Sequence, residues 1–313
     1  MFTKRQEAEL ITSIQGRGEI PLKFAYLGEG AVKWHTIAKK RSSGGINYAE
    51  TQLLSRKIRD FISSFTNAKK INLIDIGCGD GQPVLPILKE LSSQDISFRY
   101  VPIDISKEML DLAEKTILSK HKGCEVKKYL IDFELGNFSD ITYDLKSDGS
   151  ANLLLFLGST LGNFSDRNRI LTNIRDSMSS DDFLIVGVEM TNFSKVNKLL
   201  PHYTGKEALD FVFTVPVNIG IKVRTVEYEA VWNEKDTQIE IWIQLKNDQK
   251  IHIGSDSFTL ERDERLLLGR SVKFNEWTFT KLMSDVGFRT ELLTTSKDRE
   301  YVLSMVQPTR YAV

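Results

Sequence analysis

Residues 73–81 read Leu-Ile-Asp-Ile-Gly-Cys-Gly-Asp-Gly, a short apolar run that passes directly into glycines at 77, 79 and 81. A brief apolar run bounded in this way reads as a buried parallel strand, and glycines just beyond it let the backbone turn sharply and approach a ligand closely. The sixth position is Gln82, so the G-x-G-x-x-G fingerprint of dinucleotide sites is incomplete. A carboxylate that grips ribose hydroxyls is expected roughly 20 residues further on. Asp104, in Tyr-Val-Pro-Ile-Asp-Ile-Ser (100–106), meets that expectation.

S-adenosylmethionine has no pyrophosphate to seat on a helix N-terminus, and methyltransferases of the nucleotide-binding α/β class carry this shorter glycine pattern. Gly77, Cys78, Gly79, Gly81, Asp104 and Ile105 are therefore the expected residues for S-adenosyl-L-methionine; the alternative is a tight turn with no ligand. Cys78 stands between two glycines, where a small side chain is sterically convenient, and a reactive thiol is the weaker reading. With only Cys78 and Cys124 in the chain, a disulfide framework is not expected and a reducing compartment fits.

The 313 residues suffice for a full α/β domain and a smaller one. Lys+Arg and Asp+Glu are both 42, which removes the broad basic field that nucleic-acid binding usually needs. Lys39-Lys40-Arg41 is the best candidate for a local basic patch, although such a run is more often a solvated loop. The N-terminus lacks the apolar core of a signal peptide, and no stretch approaches ~18 apolar residues. The expectation is a soluble, cytoplasmic protein with a small-molecule substrate and neither nucleic acid nor membrane as partner. Four scattered histidines (35, 121, 202, 252) give no metal-ligand spacing, so no metal is expected. Asn-Phe-Ser at 137, 163 and 192 matches a glycosylation acceptor, but carries no meaning without a secretion signal.

Strand and helix signals alternate through the middle of the chain, which predicts a parallel sheet covered on both faces. Strands are expected at 71–76, 98–103, 125–131, 151–157 and 183–189. Helices are expected at 83–91, 107–118 (Ser106 as N-cap), 167–178 and 276–286, with a hairpin over 289–307. Residues 222–231, 237–245, 249–253 and 257–261 alternate instead, as an antiparallel sheet with one wet face does. The expected fold is thus α/β, a Rossmann-like class I methyltransferase sheet (66–193 and 271–313) with a β-rich substrate subdomain inserted at 194–270. The helical segment 1–65 is expected to pack with the insertion.

Ligands of open parallel sheets bind beyond the carboxyl ends of the strands. Asp132-Phe133, after the third strand, could meet the adenine amine and ring. After the fourth comes Phe-Leu-Gly-Ser-Thr-Leu-Gly-Asn-Phe (156–164), with two small-residue turns and, in Asn163, both acceptor and donors. A helix cap by Ser159 or Asn163 is an equal reading.

This run resembles the signature of the histidine-specific methyltransferase family, whose members form the trimethylated betaine of histidine for ergothioneine biosynthesis and, in fungi, N-methylate a prenylated tryptophan. The resemblance implies that Gly77, Asp104 and Asp132-Phe133 serve the cofactor's amino-acid chain, ribose and adenine. It also implies that Asn163 and Tyr48 hold the substrate's α-amino group, Tyr203 its carboxylate, and Ser271 its side chain. Two positions depart from the family. Tyr48 is followed by Ala49-Glu50-Thr51 rather than Pro-Thr-Arg, and Gly269 stands where histidine-specific members have a glutamate for the imidazole. Losing that partner removes selectivity for a polar ring. The expected acceptor is an amino-acid-type amine other than histidine, and the glycine is expected to enlarge the pocket for a bulkier, less polar side chain. Arg270 could reach an acidic group or point to solvent, and Glu189 is a possible base or a structural carboxylate. The rival readings are a methyltransferase acting on oxygen, sulfur or another nitrogen, and an inactive S-adenosylmethionine-binding regulator.

Overall fold

The computed structural model describes residues 2–41, 46–63, 70–190 and 196–309. The Asn192 triplet and the side chains of Lys40 and Arg41 fall outside them, and the backbone of 39–41 ends helix Glu29–Arg41 rather than forming the expected loop. The chain divides into two compact units, Met1–Ile37 with Asn192–Lys273, and Ala38–Thr191 with Phe274–Val313.

The larger unit holds β1 (Lys70–Ile76), β2 (Ser97–Asp104), β3 (Glu125–Val126), β4 (Tyr129–Leu130), β5 (Ala151–Phe156) and β6 (Phe183–Glu189). The smaller unit then forms β7 (Val226–Asn233), β8 (Gln238–Leu245), β9 (Gln249–Ile253), β10 (Asp256–Leu260) and β11 (Arg265–Val272). Back in the larger unit, β12 (Phe288–Thr295) and β13 (Tyr301–Pro308) close the chain.

The eight-stranded sheet of the larger unit has the order β12-β13-β6-β5-β1-β2-β3, with β4 also paired to β2. Strands β1 to β6 pair in parallel, while β13 is antiparallel to both β6 and β12. This is the expected Rossmann-like sheet. Its central strands are largely apolar because both faces are covered, and Leu73, Ile74, Leu153, Leu154, Leu184 and Ile185 are fully buried. The winding reverses between β1 and β5, so the residues after those two strands stand at the switch point where such sheets bind ligands. The expected third strand, 125–131, is interrupted between β3 and β4. It lies beyond β2 at the sheet edge and carries Lys127-Lys128, with Lys128 paired to Asp111 and Glu114.

Local signals held for the helices. Ser106 accepts from the Met109 amide and caps Lys107–Lys120, and Asn275 with Thr278 makes a capping box for Glu276–Asp285. Helix Ile46–Ile62 instead corrects the expected grouping of 1–65. Its apolar face (Leu53, Leu54, Ile58, Phe61 and Ile62) joins the core of the larger unit.

In the smaller unit β8 is flanked by β11 and β7, and among the described residues β9 pairs with β10 alone, so the single expected antiparallel sheet is two. Ile239, Ile241, Ile243 and Leu245 are buried along one face of β8, as their alternation predicts. Strand β11 crosses the boundary expected at 270/271, and this unit ends at Lys273. A bulge between Leu267 and Gly269 breaks its alternation, which hides the strand from a period-2 reading. Segment 18–20 attaches to β11, with the Ile20 amide donating to Leu267 O at 2.9 Å and the Leu267 amide to Gly18 O at 2.8 Å. Among the described residues, no helix is long and apolar enough to cross a membrane.

Candidate functional site

Gly77, Gly79 and Gly81 all adopt left-handed backbone, with φ of 64°, 52° and 71°. Each answers to a different constraint. A Cβ on Gly81 would lie 3.1 Å from Ala113 Cα, so this glycine lets helix Lys107–Lys120 pack against the loop. A Cβ on Gly77 would meet Thr160 Cγ2 at 3.4 Å and the Phe133 ring at 3.7 Å. Nothing lies within 4 Å of a Cβ position on Gly79, which leaves main chain open to a ligand.

Asp104 ends β2 beneath this loop. It is buried, and its carboxylate accepts from the Ser106 amide at 2.9 Å and the Gly79 amide at 3.4 Å. Burial pushes it up to about 6 despite those donors. Asp75 on β1 accepts from the Tyr100 hydroxyl at 2.7 Å and is pushed up to about 7, first by burial and then by Asp104, Glu50 and Asp80. Burial and the neighbouring carboxylates also push the Cys78 thiol up, which disfavours a thiolate and suits the steric reading of that residue.

Ile105 is half-buried beside Asp104, and Asp132 is half-buried after β4. The Asp132 carboxylate accepts from the Glu134 amide at 3.1 Å. Phe133 packs edge-on to Phe156 and Phe164, each at 5.8 Å, and Asn173 Nδ2 donates to its carbonyl at 3.0 Å. Open main chain at Gly79, a buried carboxylate under it and an anchored aromatic beside Gly77 fit a nucleoside-bearing cofactor. All the residues expected to serve S-adenosylmethionine belong to this unit, gathered at and around the ends of β1, β2 and β4.

Beyond β5, Gly158 and Ser159 take left-handed backbone at φ 71° and 58°, and Thr160–Asn163 forms one 3-10 turn. Ser159 makes no capping bond, and Asp166 caps the following helix, Arg167–Asp176. Capping therefore does not account for Asn163. Its amide is half-buried with no hydrogen-bond partner among the described residues, on a turn whose first residue reaches Gly77.

Sequence reasoning missed Glu50. It is 1% exposed, accepts from the Gly158 amide at 2.9 Å and from the Tyr301 hydroxyl, and burial pushes it up to about 7. A signal existed, since Glu50 precedes Leu53 and Leu54 by three and four residues and so shares the helix's apolar face. Tyr48, on the same helix, is 50% exposed. Glu189 is buried at the end of β6, where its carbonyl accepts from the Phe274 amide.

In the smaller unit, Tyr203 and Ser271 come together, with the two hydroxyls 3.1 Å apart. Between them stands a second missed residue, Lys273, whose Nζ lies 3.0 Å from Tyr203 Oη and 2.9 Å from Ser271 Oγ. Positions 269 and 271 share one face at the end of β11, and Lys273, just beyond the strand, reaches Ser271. The space over Gly269 is not an enlarged pocket. A Cβ there would lie 3.3 Å from Leu22 Cδ2, so an apolar side chain covers the position. Arg270 does not point to solvent, and the acidic group it reaches is Glu19 of the same unit, paired with it at 2.9 Å.

The family described as histidine-specific, S-adenosylmethionine-dependent methyltransferases matches residues 6–308. A histidine N-alpha-methyltransferase of Mycolicibacterium smegmatis is 22% identical over 272 residues, covering 82% of this chain and 80% of that protein. The N-methyltransferase imqF of Aspergillus flavus is 24% identical over 252 residues, covering 75% of this chain and 66% of that protein. Among solved structures, an S-adenosylmethionine-dependent methyltransferase from Clostridium acetobutylicum aligns with a TM-score of 0.49 and 12% identity, covering 88% of this chain and 99% of that one.

Proposed function

The chain belongs to the histidine-specific, S-adenosylmethionine-dependent methyltransferase family, and we propose that its methyl acceptor is the amino nitrogen of an amino-acid-type small molecule other than histidine. The observation that carries this reading is the half-buried amide of Asn163, without a hydrogen-bond partner among the described residues, on the turn that reaches Gly77. An amide oxygen there can accept from a neutral amine and leave the nitrogen lone pair directed at the methyl group.

When bound, S-adenosylmethionine supplies an electrophilic methyl on a sulfonium. The chain's own work is then to bind, align and exclude water. In this reading Asp104 takes the ribose hydroxyls, Asp132 and Phe133 take the adenine, and the main chain around Gly77 and Gly79 takes the amino-acid end. Asn163 and Tyr48 take the acceptor amine. An ammonium has no lone pair, so the amine must arrive neutral or lose its proton to solvent.

The amino-acid character of the acceptor draws support from Tyr203, Ser271 and Lys273, which together offer a cation and a hydroxyl donor suited to a carboxylate. The exclusion of histidine draws support from Gly269 and Leu22. No carboxylate stands at 269 for an imidazole, and Leu22 makes that position apolar.

Incubation with S-adenosylmethionine and a panel of amino acids, including histidine and indole-bearing ones, followed by mass spectrometry of the products, tests the reading. The expected product carries its new methyl on the amino nitrogen of a non-histidine acceptor. Methylation confined to a phenol or thiol would refute N-transfer, and efficient histidine methylation would refute the exclusion of histidine.

A further inference from the structure

We propose that Glu50 is a positioning residue for methyl transfer, holding through Gly158 the turn that carries Asn163. Three segments far apart in sequence meet at its carboxylate: helix Ile46–Ile62, the turn after β5, and β13 through Tyr301. Gly158 and Ser159 both sit at positive φ, a conformation that costs a serine free energy and persists only where the surroundings impose it. The Gly158 amide bonded to Glu50 Oε1 is the first of those constraints. The sheet makes room for the arrangement, because a Cβ on Gly187 of β6 would fall 2.6 Å from Glu50 Oε1.

Glu50 makes no ion pair among the described residues, so nothing cationic there favours its charge. The groups that act on it or feel it are the Tyr301 hydroxyl from β13, the Gly158 amide from the turn and Asp75 from β1, while β6 places Gly187 against it and carries the buried Glu189 two residues on, in register with Tyr301. A neutral carboxyl accepts from both Gly158 and Tyr301 with its carbonyl oxygen, and so does a glutamine in the same place. An alanine does not. Any opening of the turn that hydrates Glu50 restores its ordinary acidity, so opening becomes easier as pH rises from about 4.5 to about 7.

The test uses the full chain with S-adenosylmethionine and three variants, Glu50→Ala, Glu50→Gln and Tyr301→Phe. Hydrogen exchange over 158–163, calorimetric affinity for S-adenosylmethionine and label transfer to an equimolar mixture of the proteinogenic amino acids are measured for each. In Glu50→Ala, protection of the turn and label transfer are both expected to fall roughly tenfold or more, while β1 and β5 keep their protection. Cofactor affinity is expected to change less than about threefold. Glu50→Gln is expected to restore both properties and to remove the decline of turn protection between about pH 4.5 and 7. Removing the Glu50 carboxylate also removes its raising effect on Asp75, so the pH series is run on Asp75→Asn as well, where the decline set by Glu50 is expected to remain. Tyr301→Phe keeps the ring, drops one donor and gives a partial loss should the alanine variant fail to fold.

Unchanged protection in Glu50→Ala, or the same pH decline in Glu50→Gln, overturns the proposal. It rests on the reading of Asn163 as the amine-binding residue, and the two fail separately. Wild-type transfer by Asn163→Ala would refute that reading, whereas slowed transfer in Asn163→Ala beside full transfer in Glu50→Ala would refute only the role of Glu50.

Discussion

Lys273 holds its ammonium 3.0 Å from the hydroxyl of Tyr203, a residue 70 positions earlier in the chain, although Lys273 itself is only 1% exposed. The same nitrogen reaches Ser271 Oγ at 2.9 Å, and the two hydroxyls are 3.1 Å apart. Proton accounting shows what such a trio can recognise. The ammonium donates to both oxygens, one of the two hydroxyl protons lies between them, and the other is left to point outward. A group that accepts hydrogen bonds and carries negative charge satisfies the outward proton and is favoured by the ammonium behind it.

Replacing Lys273 by methionine keeps the apolar stem and removes the charge. Affinity for an amino-acid acceptor should fall roughly 10- to 100-fold, while affinity for its methyl ester should change far less. Calorimetric titration of both ligands checks this. Equal losses for acid and ester would mean that Lys273 only supports the local fold.

Gly269→Glu restores the carboxylate that histidine-specific relatives are expected to carry, but it does so against Leu22. With the Cβ 3.3 Å from Leu22 Cδ2, the substitution should destabilise the smaller unit by about 1–3 kcal/mol. Adding Leu22→Ala should relieve part of that strain and raise histidine turnover above that of either single variant. Melting curves and product mass spectrometry report the two effects. Histidine turnover by the unmodified chain that matches the double variant would refute the role given to position 269.

The parts that read clearly from sequence are those whose causes are local. Phe183–Glu189 is found as expected because a buried central strand is one continuous apolar run. The glycine loop is found because three alternate glycines after such a strand have few other uses. Strand β11 escaped because its bulge shifts the alternation halfway along. The short helices between 196 and 218 escaped because pieces of four to seven residues show too little period. Glu50 and Lys273 escaped for another reason. Each is one polar residue among apolar ones, and its meaning comes from a distant partner: Tyr301, 251 positions from Glu50, and Tyr203, 70 positions from Lys273. The covering of Gly269 by Leu22 is of the same kind, since no local pattern links those two residues.

Asp75 and Glu50 give the fold a pH dependence with a defined sign. Burial raises them from 3.8 and 4.5 to about 7, so the folded chain holds both protons more tightly than the unfolded one does. Their contribution is complete below the unfolded values and is lost as pH rises to about 7, at roughly 1.4 kcal/mol per pH unit for each group. Asp75→Asn keeps an acceptor for the Tyr100 hydroxyl and does not titrate. Its stability in urea should fall less steeply than that of the parent chain over this range, with the two curves parallel above it. Parallel curves throughout would show that Asp75 does not hold its proton in the folded state.

Asn163→Ala separates the acceptor from the cofactor. The turn Thr160–Asn163 approaches the glycine loop through Thr160, whose Cγ2 lies 3.4 Å from a Cβ position on Gly77. The Asn163 amide has no partner among the described residues to lose. Truncation therefore removes no internal hydrogen bond, and stability should stay within about 0.5 kcal/mol of the parent chain. Affinity for S-adenosylmethionine should likewise be nearly unchanged. Methyl transfer is the exception, because an amine without its acceptor is free to rotate out of line with the methyl group. A fall of roughly 100-fold in turnover is expected for the loss of such alignment. Calorimetry for the cofactor and single-turnover kinetics for transfer measure the two quantities on one preparation. Losses of equal size in both would move Asn163 from the acceptor site to the cofactor site.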